Sequence, residues 1–240
     1  MLKIWRWEEY QSFFNLIVLK YLVAWFSIVP VLANLAQKLP DTIKFNIDGA
    51  AFEVSLSLPF HWQVLWMSSL FFVLALVVYN VSCPAFIKKY NNYSEYLSYQ
   101  HHSRWLSWEA RNLLKVISLE QKRKFKRRLE DKQYIVKIES PEYKDGKVKA
   151  CHIQTFLYFQ VDDEMYELGM PVLNNANADS DKDVFYEIFG RYSESKKAIR
   201  GIIQFLLILS ALCFAFVLTQ HIYNGFGFIL EWIGSHNGSI

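Results

Sequence analysis

Three blocks of this chain are apolar on every side. Residues 13–36, 62–87 and 201–222 are each long enough to cross about 30 Å of hydrocarbon at about 1.5 Å per helical residue. A core helix of a soluble protein keeps polar positions on one face. Leu70 to Val78 and Phe205 to Leu209 have no such positions, so the pattern predicts transmembrane helices. In the first block Val31-Leu32-Ala33 could pass as a signal-peptide cleavage site. Glu8 and Glu9 in the leader, and an apolar stretch longer than a signal core, favour a retained helix.

Between the blocks the pattern changes period. Thr42 to Ile47 and Ala50 to Leu56 alternate as strands around Asp48-Gly49, the favoured two-residue hairpin turn. Residues 92–131 read as helical, with Leu106, Ala110, Leu113 and Ile117 on one face and Trp105 and Trp108 widening it. Tyr134 to Ile138, a turn at Asp145-Gly146, and Val148 to Val161 read as antiparallel strands. A loop at 174–183 and a helix from Val184 into the third apolar block complete the middle of the chain. Asn224-Gly225-Phe226-Gly227 is expected to end that helix, leaving Phe228 to Ile233 along the membrane surface. A fourth crossing requires shifted helix boundaries.

Charge sets the orientation. Of 26 Lys and Arg residues, 21 fall between Lys88 and Arg200, against 17 acidic residues in the same stretch. Lys88 and Lys89 follow the second block, Lys196, Lys197 and Arg200 precede the third, and Lys3 and Arg6 precede the first. The side that retains Lys and Arg is the cytoplasm, so the N-terminus is expected inside and the C-terminus outside. Trp5, Trp7, Tyr10, Trp62 and Trp66 are expected at the headgroup layer. Lys20, the one charge inside an apolar block, is expected to snorkel toward the headgroups, with a pore-lining or lipid-binding role as its functional alternative.

The fold expected is therefore an integral membrane α-helical protein of the inner (plasma) membrane, multi-pass with its N-terminus cytoplasmic. It has three (or four) transmembrane helices, a cytoplasmic α+β domain and a small extracytoplasmic β-hairpin. Its segments are a leader and first helix at 1–36, the hairpin at 37–61, the second helix at 62–87, the cytoplasmic domain at 88–200, the third helix at 201–222 and an interfacial tail at 223–240.

Candidate chemistry is sparse. Lys122, Arg123, Lys124, Lys126, Arg127 and Arg128 put six cations into seven residues and suit anionic lipid or a cytosolic protein partner, ahead of nucleic acid. Asp179 to Asp183 imitates a calcium loop but has Val184 where the turn glycine belongs and Gly190 where the bidentate glutamate belongs. His101-His102 and Cys151-His152 lack metal-ligand spacing. Asp162-Asp163-Glu164 reads as an exposed turn, and no nucleophile motif or phosphate loop is present. Cys83, Cys151 and Cys213 form no disulfide framework. We expect no enzyme and no cofactor.

The layout, with a short cytoplasmic leader, several spans and a basic cytoplasmic domain, resembles the membrane subunit of Kiwa-type bacterial anti-phage defence systems. That subunit has four spans where three are counted here. The resemblance implies a membrane oligomer that perceives infection and works with a soluble, nucleic-acid-binding partner subunit. From the residues alone, the expected function is a non-enzymatic, homo-oligomeric membrane sensor or scaffold. It couples a membrane or extracytoplasmic signal, sensed around Asp48 and Gly49, to a cytosolic partner. The alternative is a homo-oligomeric channel or pore-forming effector, with Lys20 and Ser68-Ser69 as the polar candidates for its lining.

Overall fold

The computed structural model describes residues 3–16, seven positions between 21 and 35, and residues 42–47, 50–55, 61–139, 144–173 and 179–237; for 42–55 and 228–237 it describes the backbone alone. In chain order the elements are α1 (Trp7–Phe14), β1 (Thr42–Ile47), β2 (Ala50–Ser55), α2 (Trp62–Ser82), α3 (Ala85–Lys89), α4 (Tyr93–Ser98) and a 3-10 turn (Ser103–Trp105). There follow α5 (Leu106–Val116), α6 (Leu119–Asp131), β3 (Ile135–Ile138), β4 (Lys147–Ala150), β5 (Thr155–Val161), β6 (Glu164–Met170), α7 (Ser180–Glu194) and α8 (Lys197–Asn237). The chain forms two compact units, residues 1–12 with 82–200, and residues 13–81 with 201–240.

The first unit is mixed α+β around a four-stranded antiparallel sheet of order β3-β6-β5-β4. β5 is buried at five of its seven positions, as expected of a strand with neighbours on both edges and helices against it. Asp162 and Asp163 link β5 to β6 with φ of 53° and 63°. That is the left-handed pair a two-residue hairpin demands, and aspartate tolerates it better than most residues. α5 lies on β5: the Ser107 hydroxyl donates to the Thr155 carbonyl at 2.8 Å, and Leu106, Ala110 and Leu113 are fully buried. The face read from the sequence is the packed one, except that Trp105 stays exposed. Ser118 caps α6 by accepting from the Gln121 amide, and Phe125 and Leu129 anchor that helix, Phe125 against Phe159 of β5. On the other side of α5, a cluster of rings joins α3, α4 and α7, centred on the fully buried Phe185.

In the second unit β1 and β2 pair antiparallel in the register Ile47↔Ala50 through Thr42↔Ser55, the hairpin read from the alternation. α2 and α8 are held together by a reciprocal pair of hydrogen bonds, Ser68 to the Ser210 carbonyl and Ser210 to the Ser68 carbonyl, each 2.8 Å. Small hydroxyl residues at such a crossing allow close approach of the two backbones. Phe14 packs on Phe72 and Tyr79 of α2. Much of the remaining apolar surface of these helices faces outward: Val77, Val81, Phe205, Leu212 and Phe216 are all more than half exposed. A soluble core helix would bury them. α2 and residues 197–227 of α8 are the two helices, among the described residues, that are long and apolar enough to cross a membrane.

Four expectations are corrected. The second apolar block ends as a helix at Ser82, because Pro84 cannot continue it, and Phe86 and Ile87 are buried in the first unit's core instead. No single helix runs from Val184 into the third block: α7 stops at Glu194, Ser195 is extended, and Lys196 has φ 50°. α8 does not end at 224–227 but continues through Gly225 and Gly227 to Asn237, so 223–237 is helix. Glycine costs about 1 kcal/mol against alanine in a helix, which does not by itself stop one. Finally, Trp7 and Tyr10 are fully buried among protein groups of the first unit.

Candidate functional site

The basic run lies on α6, and the structure spends most of its charge internally. Lys124 pairs with Glu120 at 2.7 Å, Lys126 with Glu130 at 2.9 Å and Arg127 with Asp131 at 4.0 Å, all one turn apart on the same helix. Arg123 forks onto Asp162 in the β5–β6 turn, with Nε and Nη2 both donating at 2.7–2.9 Å. This guanidinium holds the Asp162 carboxyl below its usual value. Arg128 donates to Glu187 of α7 at 3.0 Å, and that carboxylate, nearly buried, also receives Lys132. Lys126 in addition sits over the Tyr166 ring. Lys122 alone of the six has no ion pair among the described residues. It faces Arg111 and Lys115 of α5 across a small cavity.

The other candidates are likewise absorbed into structure. Asp181 accepts from the Val172 amide, and Asp183 accepts from Tyr134 and pairs with Lys132, so the acidic loop fastens α7 to its neighbours. Glu164 pairs with Lys137 and accepts from Tyr166. His101 lies 3.2 Å from the Lys89 ammonium and His102 accepts from the Arg104 amide. Among the described residues no group of His, Cys, Asp or Glu could hold a metal. Ser68 and Ser69 are each 1% exposed, and Ser69 donates to the Leu65 carbonyl. Lys20, Asp48 and Gly49 lie outside the described residues.

Two features of the first unit carry no sequence signature. One is Arg200, 5% exposed. Its guanidinium donates to the carbonyls of Trp5 (2.5 Å), Glu194 (2.7 Å) and Ser195 (2.9 Å), while its own carbonyl accepts from the Tyr10 hydroxyl at 2.8 Å. Trp7 donates to the Ser195 carbonyl, Arg6 pairs with Glu194, and Ser193 donates to Glu8. Burial pushes the Tyr10 hydroxyl up to about 12, so it stays a donor throughout the physiological range. Arg200, read from the sequence as one of the basic residues that set orientation, ties the leader to the α7–α8 junction. Lys88, Lys89, Lys196 and Lys197 remain exposed.

The other feature is a cavity of about 350 Å³ walled by Phe86, Lys89, Glu109, Asn112, Tyr192 and Lys196. Burial pushes the Glu109 carboxyl above its usual value, and Lys89 offsets this only in part. A carboxyl raised on folding holds its proton more tightly in the folded chain than in the unfolded one. Its stabilising effect is complete below the unfolded value of 4.5 and is lost as pH rises through the folded value. Glu109→Gln is accordingly expected to raise the melting temperature at pH 7.5 in detergent and to narrow the gap between melts at pH 5 and pH 7.5. A lower midpoint at pH 7.5 would mean that the charge is compensated.

No protein-family model, curated protein or solved structure matches the chain.

Proposed function

We propose that this protein is a membrane-anchored, non-enzymatic sensor or scaffold that couples a membrane or extracytoplasmic signal to a cytosolic partner. In this reading the chain crosses the membrane three times, with residues 13–36 as the first span and the N-terminus cytoplasmic. The unit of residues 1–12 and 82–200 faces the cytosol, and the β1–β2 hairpin lies outside. Lys88, Lys89, Lys196 and Lys197, exposed beside the ends of α2 and α8, support that orientation and meet anionic headgroups. The protein assembles as a homo-oligomer, and its setting is bacterial anti-phage defence, as the resemblance in layout implies.

The observation that supports coupling is the Arg200 network. A tether that merely anchors a domain needs no ordered junction. Here the segment entering α8, the end of α7 and the leader ahead of the first apolar block converge on one buried guanidinium. A helix displaced in the bilayer pulls on that junction, and a junction with two discrete arrangements converts the pull into a change of partner-binding surface.

The test is an affinity purification of the intact chain from detergent-solubilised membranes, together with a variant whose residues 42–55 are replaced by a Gly-Ser linker. Both should recover the same soluble protein, and only the intact chain should reduce phage plating. Absence of any specific soluble partner, or full protection by the linker variant, overturns the sensor reading.

A further inference from the structure

The leftover cation of α6 marks a site. Lys122 shares a cavity of about 150 Å³ with Arg111 and Lys115, which lie one turn apart on α5. No ion pair compensates any of the three among the described residues. Arg111 Nε is sealed from solvent and has no hydrogen-bond partner there. The one carboxylate in the wall, Asp145, is turned to structural use: it accepts from the Gln160 amide at 2.9 Å and fixes the turn through Gly146, whose φ is 72°. The buried Phe159 supplies an apolar wall.

Three cations without an ion pair among the described residues line one partly open space with a single carboxylate, Asp145, so positive charge is in surplus there. Elsewhere on α6 each cation has a carboxylate of its own. We propose that the cavity binds a phosphate group, either the free ion or the monoester of a small metabolite. The Arg111 fork matches two phosphate oxygens in its plane, and Lys115 and Lys122 supply point charges from the sides. The volume is about half the lower bound for drug-sized ligands, which suits a tetrahedral oxyanion with a short ester and excludes a whole nucleotide. A polyanion is disfavoured because the neighbouring cations that would extend its track are already paired. This site goes beyond the sensor reading and does not depend on it.

The experiment is calorimetric titration of the intact chain in detergent with inorganic phosphate and, separately, with glycerol 3-phosphate. Saturable one-to-one binding is expected, weakened at least about tenfold by Arg111→Gln and by Lys122→Gln. Lys124→Gln, which removes a charge of the same sign already paired on α6, is expected to leave it unchanged. Tighter binding of glycerol 3-phosphate identifies an ester as the natural ligand and tighter phosphate binding identifies the free ion, both supporting the site. Lys122→Gln lies at the surface and keeps the test open should Arg111→Gln misfold. No saturable binding of either compound up to roughly 10 mM, or an equal loss in Lys124→Gln, overturns the proposal.

Discussion

Arg200→Met is expected to cost the first unit about 3–5 kcal/mol. The side chain is nearly fully buried and feeds three carbonyls, two of them at the end of α7 and one in the leader. Methionine fills much of the volume but donates nothing, so the part-buried Trp5 and Glu194 carbonyls lose this donor and the Ser195 carbonyl keeps only Trp7. Arg200→Lys should recover only part of the loss, because an ammonium on a flexible stem cannot serve three acceptors fixed around a planar fork. Denaturant unfolding in detergent measures the cost. Limited proteolysis locates it, with the leader at 3–12 becoming cleavable before the sheet does. A loss under about 1 kcal/mol would show that the leader is held by its other contacts, those of Arg6, Trp7, Glu8 and Tyr10, and the coupling reading would lose its support.

The second large effect is expected at Phe185. Its ring is fully buried, with the rings of Phe86, Tyr93 and Tyr96 at 5.2–5.5 Å and those of Tyr90 and Phe189 at 6.0–6.5 Å. Phe185→Ala is expected to cost about 3–5 kcal/mol, the range for emptying an aromatic site in a core, with lost ring–ring contacts adding to the transfer cost. The damage should be regional. Amide hydrogen exchange should show protection lost in α3, α4 and α7 and kept in β5 and β6, whose core is built on Leu157, Phe159, Tyr166 and Leu168. Uniform loss across the sheet would show that the ring cluster and the sheet fold as one unit rather than two.

Local rules made part of this architecture legible. The β1–β2 hairpin and strands β3, β4 and β5 announce themselves by alternation, and Leu106, Ala110 and Leu113 by helical spacing, because each depends on neighbours a few residues away. β6 at Glu164–Met170, which pairs with both β3 and β5, is not among the strands read from the sequence. Three of the five paired cations of the run follow an equally local rule, since Glu120, Glu130 and Asp131 stand four residues from Lys124, Lys126 and Arg127. The partners of Arg123 and Arg128 come from 39 and 59 residues further on, and no periodicity announces them. Trp7 and Tyr10 misled for a different reason. An aromatic ring with a polar edge suits a membrane interface and a hydrogen-bonded core equally well, and only tertiary packing decides between them. Pro84 is a stop signal hidden inside an apolar run, and Gly225 and Gly227 look like a stop that the helix does not obey. The grouping of Arg111, Lys115 and Lys122 was the least legible, because its meaning lies in a surplus of cations brought together from two helices.

The internal pairing of α6 also bears on what the helix can attract. A basic surface draws a polyanion largely through entropy, as small counterions condensed on the partner escape to bulk solution when Lys and Arg replace them. Carboxylates fastened to the same chain cannot escape. A polyanion competing for Lys124, Lys126 or Arg127 must displace a tethered neighbour and leave that negative charge standing beside itself. The helix therefore offers far less salt-driven, sequence-blind adhesion than six cations in seven residues suggest. Its attraction to nucleic acid or an anionic membrane is expected to fall less steeply with added salt than that of six unpaired cations.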